Sequence, residues 1–67
     1  MIINLNNRNE ELPQESMTIT EILGFKNFTF PQIVVKLNGK LIKKPDYTNT
    51  KVMNGDILNI IHLISGG

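Results

Sequence analysis

The sequence contains no cysteine and a single histidine, His62. Without cysteine, the chain can form no disulfide, no cysteine-ligated zinc or iron–sulfur site and no side-chain thiol nucleophile. One histidine cannot build a metal site alone, so we predict no metal ligands. The 67 residues make one small domain, which has little interior to spare for a deep catalytic pocket. These absences weigh against an enzyme, and we predict no catalytic side chain.

The chain also has no large excess of positive or negative charge and no long apolar run. Seven lysines and arginines stand against six aspartates and glutamates, for a formal net charge of +1. Such a balance gives no general attraction to a nucleic-acid backbone or an anionic membrane. The longest apolar-rich stretch, residues 57–64, is far shorter than the roughly 18 residues of a membrane helix, and no targeting segment is visible. We therefore expect a cytoplasmic monomer that binds neither nucleic acid nor membrane.

The first residues of the chain have the pattern of a β-hairpin. Residues 1–5 alternate as a strand whose odd-numbered side chains face inward. The asparagine-rich run 6–9 is typical of a tight turn, because asparagine tolerates left-handed backbone conformations. Residues 10–13 are the predicted return strand, where Pro13 suits an edge or an end.

One short helix is predicted to follow the hairpin. Thr18 and Glu21 have the spacing of a capping box, in which each side chain binds the other residue's backbone N–H. Three apolar residues then share one helical face: Ile19, Ile22 and Leu23. Gly24 is predicted to end the helix. The phenylalanines at positions 25, 28 and 30 are expected to pack in the core and at its rim.

The second half of the chain predicts three more strands. Residues 33–37 alternate with Lys36 outward, and Asn38-Gly39 is a strong signal for a two-residue hairpin turn. Residues 40–44 are the predicted return strand, whose lysines protect an exposed edge, and residues 57–64 are the last strand. One helix between two hairpins, plus this strand, predicts an α+β fold: a mixed four- to five-stranded sheet with one short helix packed on one face.

The last three residues, Ser65, Gly66 and Gly67, are expected to form a flexible tail on a domain of residues 1–64. Glycine has no Cβ, so a Gly-Gly tail is the thinnest peptide that can enter a narrow tunnel. Its terminal carboxylate is ionised at neutral pH and is a poor electrophile. An external enzyme could activate this carboxylate as an acyl-adenylate. The alternative is a frayed end without a function.

The order and spacing of these features resemble the ThiS-type sulfur carriers of thiamine biosynthesis, a family of ubiquitin-like β-grasp proteins. The resemblance covers the whole chain and depends on V-K-L-N-G-K-L-I at 35–42, Asp46-Tyr47, V-M-N-G-D-I-L-N-I at 52–60 and the terminal Gly-Gly. Two departures lie in one loop. Lys-Lys-Pro stands at 43–45 where the family often has Pro-Arg, and Tyr47 stands where tryptophan is commoner.

The resemblance implies a carrier and not an enzyme. A ThiF-type activating enzyme would adenylate the Gly67 carboxylate with ATP, which the enzyme and not this chain would bind. Sulfur that comes ultimately from a cysteine desulfurase would convert the adenylate to a thiocarboxylate, and thiazole synthase (ThiG-type) would accept the sulfur. Ser65 and Gly66 would thread the tail into the partner. No cofactor would be bound by this chain.

Alternation along the last strand predicts a docking patch. Asn59, Ile61 and Leu63 share one face, and the family pattern places Leu58 and Ile60, on the other face, in the core under the helix. Ile61 and Leu63 would then be apolar residues on a sheet face without a helix, with Val34 nearby. We predict that Val34, Asn59, Ile61 and Leu63 contact the protein partners. The alternative is ordinary exposed apolar surface.

Three other functions stay open at this point. The MoaD-type small subunit of molybdopterin synthase shares the fold and the Gly-Gly end, but it is usually longer and often has prolines before the tail. His62 and Ile64 stand there in this chain, which favours the thiamine interpretation. A β-grasp interaction module with an incidental tail is a second alternative, and ubiquitin-like conjugation to a lysine is a third.

Overall fold

The computed structural model describes residues 1–28 and 32–63, and these form two sheets, one helix and one 3-10 turn. The strands are β1 (Ile2–Leu5), β2 (Arg8–Glu11), β3 (Ser16–Thr18), β4 (Ile33–Leu37), β5 (Lys40–Ile42), β6 (Lys51–Met53) and β7 (Ile57–His62). Helix α1 is Ile19–Phe25, and the 3-10 turn is Lys44–Asp46. The main sheet has the order β2-β1-β7-β4-β5, and β3 pairs with β6 separately. Only β1 and β7 are parallel among the described pairs, so the predicted mixed sheet with one helix is confirmed.

The first hairpin turns earlier than predicted. Asn6 and Asn7 both have positive φ, 52° and 68°, as the two central residues of a type I′ turn do. A two-residue turn is therefore complete, and Arg8 already pairs with Leu5. The prediction of a turn over 6–9 and a return strand over 10–13 was wrong in its bounds, since β2 occupies Arg8–Glu11.

The start of the helix is as predicted. The Glu21 backbone N–H donates to Thr18 Oγ1 at 3.1 Å, and the Thr18 N–H donates to Glu21 Oε1 at 2.8 Å. This capping box satisfies two donors at the helix end. Ile19 and Ile22 are fully buried and Leu23 packs partly buried against them. Because the helix has only seven residues, this packing and the cap must stabilise it.

The end of the helix corrects the prediction for Gly24, which lies inside α1. The helix continues to Phe25, and Asn27 takes the left-handed position with φ 59°. The Phe28 N–H donates to the Leu23 carbonyl at 2.8 Å, and the Asn27 N–H donates to the Gly24 carbonyl at 3.2 Å. This pair of bonds is a Schellman motif, in which asparagine replaces the more usual glycine.

The second hairpin has the predicted turn and a shorter return strand. Asn38 and Gly39 have φ 52° and 82°, which again matches a type I′ turn. β5 ends at Ile42, and not at position 44 as predicted, because Lys44 begins the 3-10 turn. Pro45 fits the first turn of such a helix and has no N–H for a strand ladder.

A second small sheet was not predicted. β3 and β6 have three residues each, and Met17 pairs with Val52 at its centre. Both side chains are buried. Segments of three residues are too short to show a period-2 pattern, so the sequence gives little signal for them. This sheet ties the entry of the helix to the segment before β7.

The core lies between the helix and one face of the main sheet. Its buried residues are Ile3, Leu5, Leu12, Met17, Ile19, Ile22, Val35, Tyr47, Val52, Leu58 and Ile60. No charged side chain is buried among the described residues. The inward alternation predicted for strands β1 and β4 is confirmed.

Candidate functional site

The last strand, β7, is the central strand that leads toward the tail. It pairs in parallel with β1 and antiparallel with β4, so both of its edges are hydrogen-bonded. Leu58 and Ile60 are buried, as predicted. The strand ends at His62 and not at position 64 as predicted. Strands therefore flank the start of β7 on both sides, whereas β4 alone continues along it to His62.

Two asparagine-containing turns meet at the start of β7. Asn38 exchanges bonds with Ile57: its N–H donates to the Ile57 carbonyl at 2.7 Å, and its Oδ1 accepts from the Ile57 N–H at 2.9 Å. Asn38 Nδ2 also donates to Asp56 Oδ1 at 3.2 Å, while Asp56 Oδ2 accepts from the Met53 N–H at 2.8 Å. The Asn-Gly and Asn-Gly-Asp motifs thus form one clasp that fixes where β7 begins.

The side chain of Asn6 supports β7 closer to the tail. β1 turns away at Asn6, whose backbone N–H still donates to the Leu58 carbonyl at 3.0 Å. Its side-chain Oδ1 then accepts from the Ile60 N–H at 2.8 Å, and its Nδ2 donates to the Ile60 carbonyl at 3.2 Å. One amide side chain therefore replaces the peptide group that β1 no longer supplies. The sequence marked Asn6 only as a turn residue, because its partner is 54 residues away.

We predict that Asn6→Ala destabilises the protein more than Asn7→Ala does. Both positions have positive φ, so both substitutions add similar backbone strain. Only Asn6→Ala also leaves the Ile60 N–H and carbonyl, which are partly buried, without their partners. Denaturant unfolding should show an additional loss of about 2 kcal/mol for Asn6→Ala. Equal losses for the two variants would contradict this role.

The open sheet face, opposite the helix, carries most of the predicted docking patch. Val34 and Ile61 are direct partners across β4 and β7, and Asn59 lies two residues earlier on the same face. Ile61 is 47% exposed, and Val34 and Asn59 are half-buried. The structure therefore brings these three predicted residues together. We call Val34, Asn59 and Ile61 the open-face patch.

Leu63 lies at the border of this patch. It follows the end of β7, and its N–H donates to the Gln32 carbonyl at 3.0 Å. It is 52% exposed, and it helps to line an open groove of about 560 Å³ together with Phe28 and Tyr47. This groove lies on the helix side of the sheet. Because Leu63 lies beyond the end of β7, strand alternation does not determine on which face of the sheet its side chain lies.

His62 packs at the rim of the domain. Its ring meets the Phe28 ring edge to face, with the centroids 5.7 Å apart and the planes at 80°. Such a T-shaped contact is a favourable arrangement of two rings. It agrees with the rim packing expected for Phe28, whereas Phe25 is exposed. Phe30 lies outside the described residues.

The tail residues Ser65, Gly66 and Gly67, with Ile64, lie outside the described residues, so their predicted roles stay predictions. Within residues 1–28 and 32–63, no three histidine, aspartate or glutamate side chains gather as a metal site. No helix in those ranges has the length and apolar character needed to cross a membrane.

The strand order and the single helix define a ubiquitin-like β-grasp protein. The model of the ThiS family matches residues 2–67, and the chain belongs to the ThiS family. The resemblance seen in the sequence is therefore confirmed. The matched residues include Gly66 and Gly67.

Two solved structures show the same fold over the full chain. The crystal structure of thiamine biosynthesis protein ThiS from Geobacter metallireducens has a TM-score of 0.89 and 25% identity, and all of both chains is covered. The solution structure of a thiamine biosynthesis protein from the same organism has a TM-score of 0.78 and 25% identity. The alignment with this second structure covers 100% of this chain and 88% of the other chain. Among curated proteins, no significant match is found.

Proposed function

We propose that this protein is a sulfur carrier for thiamine biosynthesis and that its reactive group is the Gly67 carboxylate. The observation that carries the proposal is the ThiS family match over residues 2–67, which includes the terminal Gly-Gly. The likeness to the Geobacter metallireducens ThiS structure, which spans both chains in full, supports it. In this role the protein is a cytoplasmic co-substrate and not a catalyst.

The chemistry takes place at the C-terminal carbon. A carboxylate oxygen of Gly67 attacks the α-phosphorus of ATP on a ThiF-type enzyme, and pyrophosphate leaves. The outer sulfur of a persulfide, formed with a cysteine desulfurase, then attacks the acyl carbon and expels AMP with one former carboxylate oxygen. A thiol cleaves the resulting acyl disulfide and is itself oxidised to a disulfide. The product is a thiocarboxylate. Transfer of the sulfur to the substrate on thiazole synthase breaks the C–S bond, and the acyl carbon takes an oxygen from water or from that substrate, which regenerates the carboxylate.

The fold supplies position and not reactive groups. The tail must enter the activating enzyme, and Gly66 and Gly67 have no Cβ to obstruct a narrow channel. Ser65, which precedes them, also has a small side chain. The clasp at Asn38 and the Asn6 side chain hold β7 on the domain side of this tail. ATP is bound by the partner, so this chain itself needs no cofactor.

The open-face patch is the proposed docking surface for the activating enzyme and for thiazole synthase. Its centre, the Val34–Ile61 pair, is apolar and lies on a sheet face that the helix does not cover. Further apolar residues on this face are also exposed: Ile2, Leu41 and Ile57. Apolar surface of this extent on a small domain is typical of a protein interface.

Reconstitution with two acceptors tests the sulfur destination. The chain, the activating enzyme, the desulfurase, ATP and cysteine are combined either with thiazole synthase or with the large subunit of molybdopterin synthase, each with its substrate. We expect thiazole phosphate to form and molybdopterin not to form. Molybdopterin alone would support the MoaD-like alternative. Formation of neither product, with active control carriers, would support an interaction module.

A further inference from the structure

Charge is unevenly distributed across the main sheet, although the whole chain is nearly neutral. Positions 36–46 carry four lysines and one carboxylate, and positions 8–21 carry four glutamates and one arginine. The first segment includes β5, and the second includes β2. These strands are the opposite edges of the sheet. The β5 edge is therefore basic. The β2 edge itself is mixed, because it holds Arg8, Glu10 and Glu11, and Lys26 pairs with Glu10.

The basic side, which we call the lysine edge, consists of Lys36, Lys40, Lys43 and Lys44. All four side chains are exposed. The ion pair that the described residues contain joins Lys26 to Glu10 of β2 at 2.9 Å, and it involves none of these four lysines. Lys40 and Lys43 line one open depression of about 720 Å³ beside β5, in which the one described carboxylate is Asp46. The positive charge of this edge is thus mostly uncompensated.

The two edge strands are far enough apart that the charges near one edge have little effect on a protein that binds at the other. Strands in a sheet lie about 4.8 Å apart, so the two edge strands are separated by roughly 19 Å. The Debye length is about 8 Å at physiological ionic strength. A protein that approaches β5 therefore interacts with the lysines and is largely screened from the glutamates. The net charge of +1 conceals this local field.

Lys36 joins the lysine edge to the open-face patch, whereas Lys40 pairs with Leu37 and so lies on the helix side of the same sheet edge. Lys36 pairs with Asn59 of the patch on one side and with Leu41 of β5 on the other, so all three lie on the same face. Leu41 is 54% exposed. The surface therefore has an apolar centre and a charged rim, which is the usual anatomy of a transient protein interface.

We infer that the lysine edge binds an acidic surface on the enzyme that activates the tail, and that it guides this enzyme onto the open-face patch. This inference rests on the proposed function and adds the charge of the partner surface. A carrier must associate and dissociate in every catalytic cycle, and complementary charge at an interface rim mainly raises the association rate.

The test compares two double variants with the same change in net charge. Lys40→Glu/Lys43→Glu reverses the lysine edge. Arg8→Glu/Lys51→Glu is the matched control, because Arg8 and Lys40 each begin an edge strand directly after a two-residue turn. All four positions are exposed. Circular dichroism and denaturant unfolding establish that both variants are folded.

The measured quantity is the association rate with a ThiF-type enzyme at low salt, together with kcat/KM for activation. We expect Lys40→Glu/Lys43→Glu to lower the association rate about tenfold or more, and the control to lower it by much less. At about 1 M salt, the Debye length is about 3 Å. The association rate of the wild-type protein should then fall to that of Lys40→Glu/Lys43→Glu. Equal rates for the two variants at low salt would overturn the inference.

Two further outcomes are distinguishable. If the wild-type tail is never converted to a thiocarboxylate, the proposed function fails, whatever the charge variants do. If conversion occurs at equal rates in both variants, while only the lysine-edge variant loses binding to phosphatidylserine vesicles or to duplex DNA, the lysine edge serves that anion and the inference is wrong.

Discussion

Deletion of Gly67 is expected to abolish thiocarboxylate formation and to leave the free energy of unfolding unchanged. Chemically, the deletion moves the reactive carbon back by one residue, about 3.5 Å, and away from the bound ATP. Structurally, the described core includes no residue after Ile60. Appending one alanine after Gly67 should have the same effect, because it moves the carboxylate forward by one residue. Thiazole formation in the reconstituted system and denaturant unfolding measure the two properties.

Ser65→Ala is the control for the tail variants. It changes a small side chain in the same segment and leaves the position of the carboxylate unchanged, so activity should be retained. Thiazole formation by the alanine-extended protein, after mass spectrometry has excluded removal of the alanine, would contradict the role of Gly67. A loss of stability in the deletion variant would instead show that the tail contributes to the fold.

Ile61→Asp is expected to lower kcat/KM for activation by about 30-fold or more. Ile61 lies at the apolar centre of the open-face patch, opposite Val34. A charged carboxylate there must be desolvated without a partner when the interface closes, and a central interface residue commonly contributes 2 kcal/mol or more to binding. Stability should change little, because the Ile61 side chain is 47% exposed.

Ile57→Asp is the matched control for this prediction. Ile57 lies on the same strand and the same face, with 50% exposure, but it is at the end of β7 that is farther from the tail. Four residues of strand separate the two positions by about 13 Å. The same substitution there should lower kcat/KM much less. Equal effects of the two substitutions would mean that the patch is not centred on Ile61.

Local signals predicted the framework of the fold. The capping box of Thr18 and Glu21 needs only residues three apart, and both of its bonds are present. The Asn38-Gly39 turn depends on the backbone preferences of two adjacent residues. Inward alternation correctly placed Ile3, Leu5 and Val35 in the core. In each case the determining contacts lie within a few residues or follow from the pleat of one strand.

Features that depend on distant contacts or on competing residues were missed. Gly24 is the residue with the strongest preference for a helix end, yet Asn27 takes the left-handed position that ends the helix. The packing of Leu23 and the two Schellman bonds favour this longer helix. The β3–β6 sheet is too short for a periodic pattern. Asn6 supports β7 across 54 residues of sequence, and nothing near Asn6 indicates that contact.

The candidate site was predicted only in part. The sequence predicted that Val34 lies near Ile61, and the structure shows that the two are direct partners across β4 and β7. The lysines of residues 40–44 were predicted to lie at an exposed edge, but their separation from the glutamates near β2 was not, because a net charge of +1 averages the two groups. Only the strand order shows that these groups lie at opposite edges.

The most direct test of the sulfur-carrier function is the intact mass of the protein after incubation with a ThiF-type enzyme, ATP, a cysteine desulfurase and cysteine. We predict a mass increase equal to the exchange of one oxygen for one sulfur, with fragmentation placing the change at Gly67. The increase should require ATP. An unchanged mass, in a reaction where a known ThiS protein is converted in parallel, would contradict the proposed function.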